Sequence, residues 1–238
     1  MLRKSLTATA EAIKMVLAFC LVVLVVVTLH ELGHLLVAVA FGVSVEAFSV
    51  GFGSALLSFE AFDIEWRLAA IPLGGYVAFH NEALDGSLLM ADAPGFVQAM
   101  ILLAGVVANG IYAVGLMAFL KNRYKGDESR FTMHMDFSGF LIVPFVRNAL
   151  VSLRAGWPYF WWFTALVSMD LMLINALFIF PLDGGRLYFV SLETVGKLVG
   201  LEFTFIAGVL SGLLVTFFVQ IPLMRTPVLA FIRYLRHP

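Results

Sequence analysis

The sequence predicts an α-helical polytopic membrane protein, with about four transmembrane helices and a small membrane-associated β-hairpin or sheet between the first two. Of its 238 residues, 61% are hydrophobic and only 13% are charged. A soluble domain of this length cannot bury so many apolar side chains. The formal net charge of −1 provides no excess of basic residues for nucleic acid, so we expect no nucleic-acid partner.

The predicted transmembrane helices are four apolar segments that reach the roughly 20 residues needed to cross a bilayer. They cover about residues 13–41, 96–120, 157–183 and 201–224. The third opens with an aromatic cluster typical of the headgroup region. We expect the four spans and their connections to form a single intramembrane domain over residues 1–238.

Two connections differ from the spans in composition. Residues 43–80 are expected to be β-rich, because "VSVEAFSVGFG" contains many β-branched and aromatic residues and "FDIEWRL" at 62–68 alternates apolar with charged residues. Residues 121–156 are expected to be a connecting loop that is too short for an independent domain. The stretch 143–153 favours a short interfacial amphipathic helix.

The first span contains the sequence HELGH at positions 30–34. Positions i and i+4 share one helix face, so His30 and His34 can bind one metal while Glu31 lies beside them. This is the HExxH pattern of two zinc ligands and a general base, although iron, cobalt or nickel would also accept two imidazoles. Each ionisable residue within the bilayer costs at least ~2.5–3.5 kcal/mol on insertion scales, which favours a functional site over packing.

A catalytic zinc site usually has a third protein ligand and one open position. The best candidate is Asp183 in "FPLDGGR", where the two following glycines would break the helix and turn the carboxylate inward. The depth of each residue along its helix favours Asp183 over Asp170, for which we expect a structural or substrate-path role. His80 and His134 lack metal-ligand spacing and are expected to be loop histidines.

Four motifs occur in a characteristic order: HELGH, "IPLGGYV" at 71–77, "AGVVAN" at 104–109 and "NALFIFPLDGG" at 175–185. Together they resemble the site-2 protease family of intramembrane zinc metalloproteases, and most closely its bacterial envelope-stress branch. The resemblance implies zinc as cofactor and cleavage of a peptide bond in or near the transmembrane helix of a substrate protein. It also implies the lipid bilayer of a bacterial inner membrane as the location.

The resemblance also implies residue roles. It makes His30, His34 and Asp183 the zinc ligands and Glu31 the base that activates the zinc-bound water. Whether another protease must first trim the substrate stays open, although the short 121–156 connection would suit a substrate that is already trimmed.

Four further residues match family motifs that are associated with substrate. Asn175 corresponds to an asparagine that contacts substrate backbone or the oxyanion. Asn109 has either a similar role or an interhelical hydrogen bond, and both alternatives stand. Gly74 and Gly75 belong to a segment that resembles a membrane-inserted β-loop, whose edge would pair with an unwound substrate; a plain glycine turn is the alternative.

The sequence departs from the family in four respects. Val106 stands where the family has proline, and the family's proline pair before the LDG motif is reduced to Pro181. No PDZ domain fits between the second and third spans, where only 121–156 is present. The basic residues concentrate on the side of the N-terminus, which the positive-inside rule makes cytoplasmic, whereas the resemblance implies the reverse orientation.

Two other functions compete with the protease. The first is a catalytically inactive relative that binds membrane proteins, against which the intact HExxH and LDG motifs argue. The second is an intramembrane metal transporter, because ionisable residues in membranes often mark ion pathways. The β-rich segment and the paired glycines favour handling of a peptide backbone instead.

Overall fold

The computed structural model describes residues 2–82, 87–125, 142–202 and 204–223. Six α-helices and one β-hairpin make up this part of the chain, and α6 continues through a π-helical turn at Thr216–Gln220. In chain order they are α1 (Leu2–Ala40), β1 (Val45–Ala61), β2 (Ile64–Phe79), α2 (Gly95–Arg123), α3 (Ile142–Ala155), α4 (Trp157–Asn175), α5 (Asp183–Val199) and α6 (Phe205–Val215).

The predicted membrane fold is confirmed. Three described helical segments are long and apolar enough to cross a membrane, namely Thr9–Ala40, Gly95–Arg123 and Phe205–Leu223. The third predicted span forms α4, a 19-residue helix that is not among these three. Its aromatic N-terminal part and Asp170 make it less apolar, and it packs against α2 with several fully buried side chains.

The outer faces of the membrane helices carry large apolar side chains. Leu36 on α1, Ile111 on α2 and Phe218 beyond α6 are 66%, 70% and 76% exposed. Such surfaces are unfavourable in water, but they match the hydrocarbon of a bilayer.

The predicted β-hairpin is confirmed as two antiparallel strands, β1 and β2. The alternating segment 62–68 starts its strand only at Ile64, because Phe62 and Asp63 form the turn with φ values of 57° and 58°. Positive φ at both central residues is the geometry of a type I′ turn, which matches the twist of a hairpin. Phe62 at the tip is 91% exposed, which suits association with the membrane.

The site is framed by close contact between α1 and α2. A Cβ atom on Gly33 would lie 2.5 Å from the carbonyl oxygen of Ala104, so the two backbones touch at the level of HELGH. The hairpin covers α1 beside this contact, and Phe48, Leu35 and Ile101 belong to the shared hydrophobic core. Small residues permit such close approach of membrane helices.

The structure differs from the prediction at the end of the third span. The helix was expected to run to Asp183 and to break at the glycines, but α4 ends at Asn175 and Asp183 begins α5. The irregular segment 176–182 contains Pro181, which lacks an N–H group and disfavours helix at the residue before it. Gly184 packs instead in the first turn of α5, where a Cβ atom would lie 2.6 Å from Ala176 O.

The connection predicted as a loop at 121–156 contains more helix than expected. Helix α2 extends to Arg123, and α3 covers the amphipathic stretch 143–153. Helix α3 packs against α1 through Ala149 and Leu150, and Arg154 forms an ion pair with Glu11.

Candidate metal centre

Three side chains from two distant parts of the chain meet between the helices. His30 Nε2 lies 2.9 Å from Asp183 Oδ2, His34 Nε2 lies 3.3 Å from the same oxygen, and the two Nε2 atoms are 3.2 Å apart. Donor atoms around a tetrahedral zinc ion are about 3.4 Å from one another. The spacing and the His–His–carboxylate donor set therefore fit one zinc ion. Among the described residues, this is the group whose ligand atoms could hold a metal.

The second ring nitrogen of His34 fixes the protonation of its imidazole. Nδ1 lies 2.7 Å from the carbonyl oxygen of Ile101 on α2. A carbonyl oxygen can only accept, so Nδ1 carries the hydrogen, and Nε2 of the neutral ring keeps a lone pair directed at the cluster. This is the outer hydrogen bond that metal-binding histidines usually make.

The corresponding partner of His30 is Asn109. The amide nitrogen of Asn109 lies 3.2 Å from His30 Nδ1, and its Oδ1 atom is buried without a hydrogen-bond partner. The two ends of an amide are assigned from their hydrogen bonds, and turning this amide over lets His30 Nδ1 donate to Oδ1. His30 Nε2 is then also free to bind metal. Because Asn109 is completely buried, its geometry suits the interhelical hydrogen bond rather than contact with substrate.

Glu31 lies directly beside the cluster and is 7% exposed. Strand β2 packs against it through Gly75, where a Cβ atom would lie 2.8 Å from Glu31 Cγ and 2.7 Å from Ser49 O. Gly74 instead faces the ring of Phe52, where a Cβ atom on the glycine would lie 2.7 Å from Phe52 Cε2. Of the two predicted glycines, Gly75 therefore borders the candidate base.

The remaining predicted residues lie at or beyond the edge of the cluster. Asn175 ends α4 and is half-buried, and in the described part of the chain its side chain makes no hydrogen bond to the three clustered residues. Asp170 is on α4 and His80 follows β2; neither belongs to the metal-binding group of the described residues. His134 lies outside the described residues.

Two residues that sequence reasoning did not single out support the centre. Gly105 on α2 lies against both imidazoles, and a Cβ atom there would be 2.7 Å from His34 Cε1 and 2.8 Å from His30 Cε1. Its position within "AGVVAN" was the available signal. Gln220 bonds to the segment that precedes Asp183, and its signal was a polar side chain near the end of an apolar span.

Fold and site thus define a helical membrane protein in which two buried histidines and a partly buried aspartate form a cluster that could hold a metal ion. The model of peptidase family M50 matches residues 18–219, and the chain belongs to this family, as the resemblance to site-2 proteases predicted. Zinc is accordingly its cofactor.

Named relatives match parts of the chain. "Putative zinc metalloprotease slr1821" of Synechocystis is 37% identical over 102 residues, which are 40% of this chain and 28% of that protein. "Membrane metalloprotease ARASP, chloroplastic" of Arabidopsis thaliana is 33% identical over 98 residues, 39% of this chain and 22% of the relative. "Metalloprotease MmpA" of Caulobacter vibrioides is 52% identical over 69 residues, 29% and 17% of the two chains. The alignments thus span less than a third of each relative's length.

Proposed function

We propose that the protein is an intramembrane zinc endopeptidase, which hydrolyses a peptide bond in or near the transmembrane helix of a substrate membrane protein. One observation carries the proposal. His30, His34 and Asp183 converge beside Glu31 at a buried position between helices whose outer faces are apolar. Such a set of ionisable groups within a membrane is costly unless it has a function.

The residues have distinct roles in this proposal. His30, His34 and Asp183 would hold the zinc ion, which would act as a Lewis acid that polarises a carbonyl oxygen and acidifies water. Glu31 takes the proton from the attacking water and passes it to the leaving amine, as the general base of an HExxH site does. The burial of Glu31 supports this role, because a buried carboxylate is shielded from bulk water and meets only the water that enters the site for the reaction.

In this proposal, strand β2 and Asn175 bind the backbone of the substrate. The transmembrane helix of a substrate satisfies its own backbone hydrogen bonds, so it must unwind before hydrolysis. Strand β2 offers the released groups partners by strand addition, and Gly75 supports this because the lack of a side chain lets the strand lie directly against Glu31. Asn175 at the end of α4 is the proposed amide donor to the substrate backbone or the oxyanion.

The proposed location is a bacterial inner membrane, with membrane proteins as substrates. A substrate that another protease has already shortened would suit the short extramembrane connection between α2 and α4. Membrane fractionation tests the location, and recovery of the protein in the outer membrane would contradict it. Efficient cleavage of an intact substrate that carries a large extramembrane domain would contradict the trimming requirement.

The decisive experiment measures cleavage of a labelled transmembrane peptide by the purified, zinc-loaded protein in detergent. We expect Glu31→Gln to lower the rate by about 10²–10⁴-fold, the usual contribution of a general base, while the zinc content stays at the wild-type value. Glu60→Gln, on the exposed part of β1, is the matched control and should cleave normally. Absence of cleavage by the wild type across several peptides would favour the inactive relative, and equal cleavage by wild type and Glu31→Gln would reveal a contaminating protease.

A further inference from the structure

One face of α6 and its π-helical turn is lined by small and polar residues. Gly208, Gly212, Thr216 and Gln220 recur at intervals of four, so they share a face. A Cβ atom on Gly208 would lie 2.7 Å from the ring of Phe189, and one on Gly212 would lie 2.6 Å from the carbonyl oxygen of Phe178. This face therefore fits closely against α5 and the irregular segment 176–182.

Gln220 binds that segment with both ends of its side-chain amide. Its Oε1 atom accepts a hydrogen bond from the backbone N–H of Phe178 at 2.8 Å, and its Nε2 atom donates to Ala176 O at 3.1 Å. The hydroxyl of Thr216 donates to the same Oε1 atom at 2.8 Å, which orients the amide. The two bonds to Phe178 and Ala176 join the π-helical turn that continues α6 to the chain between α4 and α5.

These hydrogen bonds are needed because the segment is not helical. Backbone groups in a membrane have no water to bond with, so irregular backbone persists there only where protein groups satisfy it. Leu177 N and Leu182 N bond to nearby carbonyl oxygens, at 3.0 and 2.9 Å. Gln220 supplies the partners for Phe178 N–H and Ala176 O.

The segment is in turn packed against the residue next to Asp183. A Cβ atom on Gly184 would lie 2.6 Å from Ala176 O and 2.5 Å from Leu177 O, so the first turn of α5 rests on these two carbonyl groups. Ala176 O is therefore in contact with Gln220 on one side and with the start of α5 on the other. Any shift of the segment must move Asp183 relative to the histidines.

We propose that Gln220 is a positioning residue for the metal centre. By binding the segment 176–182, Gln220 holds Asp183 at its ligand position. Helix α6 and its π-helical turn are then a part of the support of the proposed metal centre. The inference rests on the proposed metal centre, and its test measures metal binding rather than proteolysis.

The test compares zinc affinity and the absorption spectrum of the cobalt-substituted protein in wild type, Gln220→Met and Gln220→Leu. We expect zinc to bind about tenfold more weakly in both variants, at the lower end of the usual effect of an outer-shell partner. The cobalt spectra should change toward that of Asp183→Ala. Phe218→Leu, at a lipid-facing position of the same π-helical turn, is the matched control and should keep wild-type affinity and spectrum.

A double-mutant cycle identifies Asp183 as the residue through which Gln220 acts. Adding Gln220→Met to Asp183→Ala should weaken zinc binding no further, because the ligand that Gln220 positions is already absent. Full additivity, or wild-type affinity in Gln220→Met, would overturn the inference. Loss of helical structure in both Gln220 variants while Phe218→Leu stays folded would also overturn it, since Gln220 would then serve the whole fold. Failure of the wild type itself to bind zinc would instead contradict the proposed metal centre.

Discussion

The two ring nitrogens of His30 and of His34 each contact a different partner. One nitrogen faces the cluster and the other bonds to helix α2. The Nε2 atoms face Asp183, while the Nδ1 atoms bond to Asn109 and to the carbonyl oxygen of Ile101, both on α2. Outer hydrogen bonds of this kind select the tautomer and the ring orientation of a metal ligand. At the scale of single residues, α1 therefore presents the imidazoles and α2 orients them.

Asn109 provides a test of this division. We expect Asn109→Leu to weaken zinc binding by about 10–100-fold, because His30 loses the acceptor that holds its ring. Asn109→Asp should keep most of the affinity, since a carboxylate oxygen can still accept from His30 Nδ1. Isothermal titration with zinc in detergent measures both.

The control for Asn109 is Ser168→Ala. Ser168 Oγ on α4 donates to the backbone carbonyl of Asn109 at 3.1 Å, so the change removes a contact to the same residue without touching its side-chain amide. Equal losses in Asn109→Asp and Asn109→Leu would mean that the amide nitrogen, and not the oxygen, faces His30.

At the scale of elements, glycines decide how closely α1, α2 and the hairpin approach. Gly33 brings the α2 backbone against α1, Gly105 receives the imidazoles, and Gly75 lets β2 lie on Glu31. Each is a position where a methyl group would overlap atoms of the neighbouring element. The site is compact because α1, α2 and β2 each have a glycine where they contact one another.

Gly105 and Gly115 form a matched pair on α2 for testing this idea. Gly105→Ala should lower both zinc affinity and the thermal unfolding temperature, because the new methyl group overlaps both imidazoles. Gly115→Ala should leave zinc binding unchanged, because nothing lies within 4 Å of its Cβ position. It should also stabilise the helix slightly, since alanine is the better helix former by about 1 kcal/mol.

Scanning calorimetry and zinc titration of the two variants measure these effects. Identical behaviour of Gly105→Ala and Gly115→Ala would contradict the close packing of α2 on the imidazoles.

The predictability of the elements from sequence was uneven. The apolar runs and the alternation in β2 are local signals, so the membrane helices and the small antiparallel sheet were confirmed. The start of α5 at Asp183 was missed, because the run before it remains apolar while the helix ends at Asn175. The apolar pattern does not show that the backbone groups of Ala176 and Phe178 leave the helix and form hydrogen bonds with the side chain of Gln220 instead.

At the scale of the whole molecule, the contacts of His30 and His34 with Asp183 tie the N-terminal span to α5. His30 and His34 are on α1, and Asp183 starts a helix that packs against α2 and α6. Contacts between α1 and the later helices otherwise run through α2, α3 and α4. Zinc should therefore stabilise the assembled fold as well as supply the reaction chemistry.

Removal of zinc tests this coupling. We expect a chelator to lower the unfolding temperature, because a metal at 100 times its dissociation constant stabilises the folded state by about 2.7 kcal/mol. Calorimetry in detergent, with and without added zinc, measures the shift. Asp183→Ala should show a much smaller shift, and an equal shift in this variant would place the stabilising metal elsewhere.

The amino-acid sequence alone was enough to predict the membrane class, the hairpin and the two candidate ligands of HELGH. These features depend on local patterns, such as a run of apolar residues or an i, i+4 spacing, which can be read directly from the sequence. It also selected Asp183 over Asp170 by depth and motif. The folded structure was needed to show that Asn109 and Ile101 contact the histidines, that Gly105 makes room for them, and that Gln220 bonds to the segment before Asp183. These contacts depend on how each helix is rotated against its neighbours, and that rotation is set by packing between distant residues.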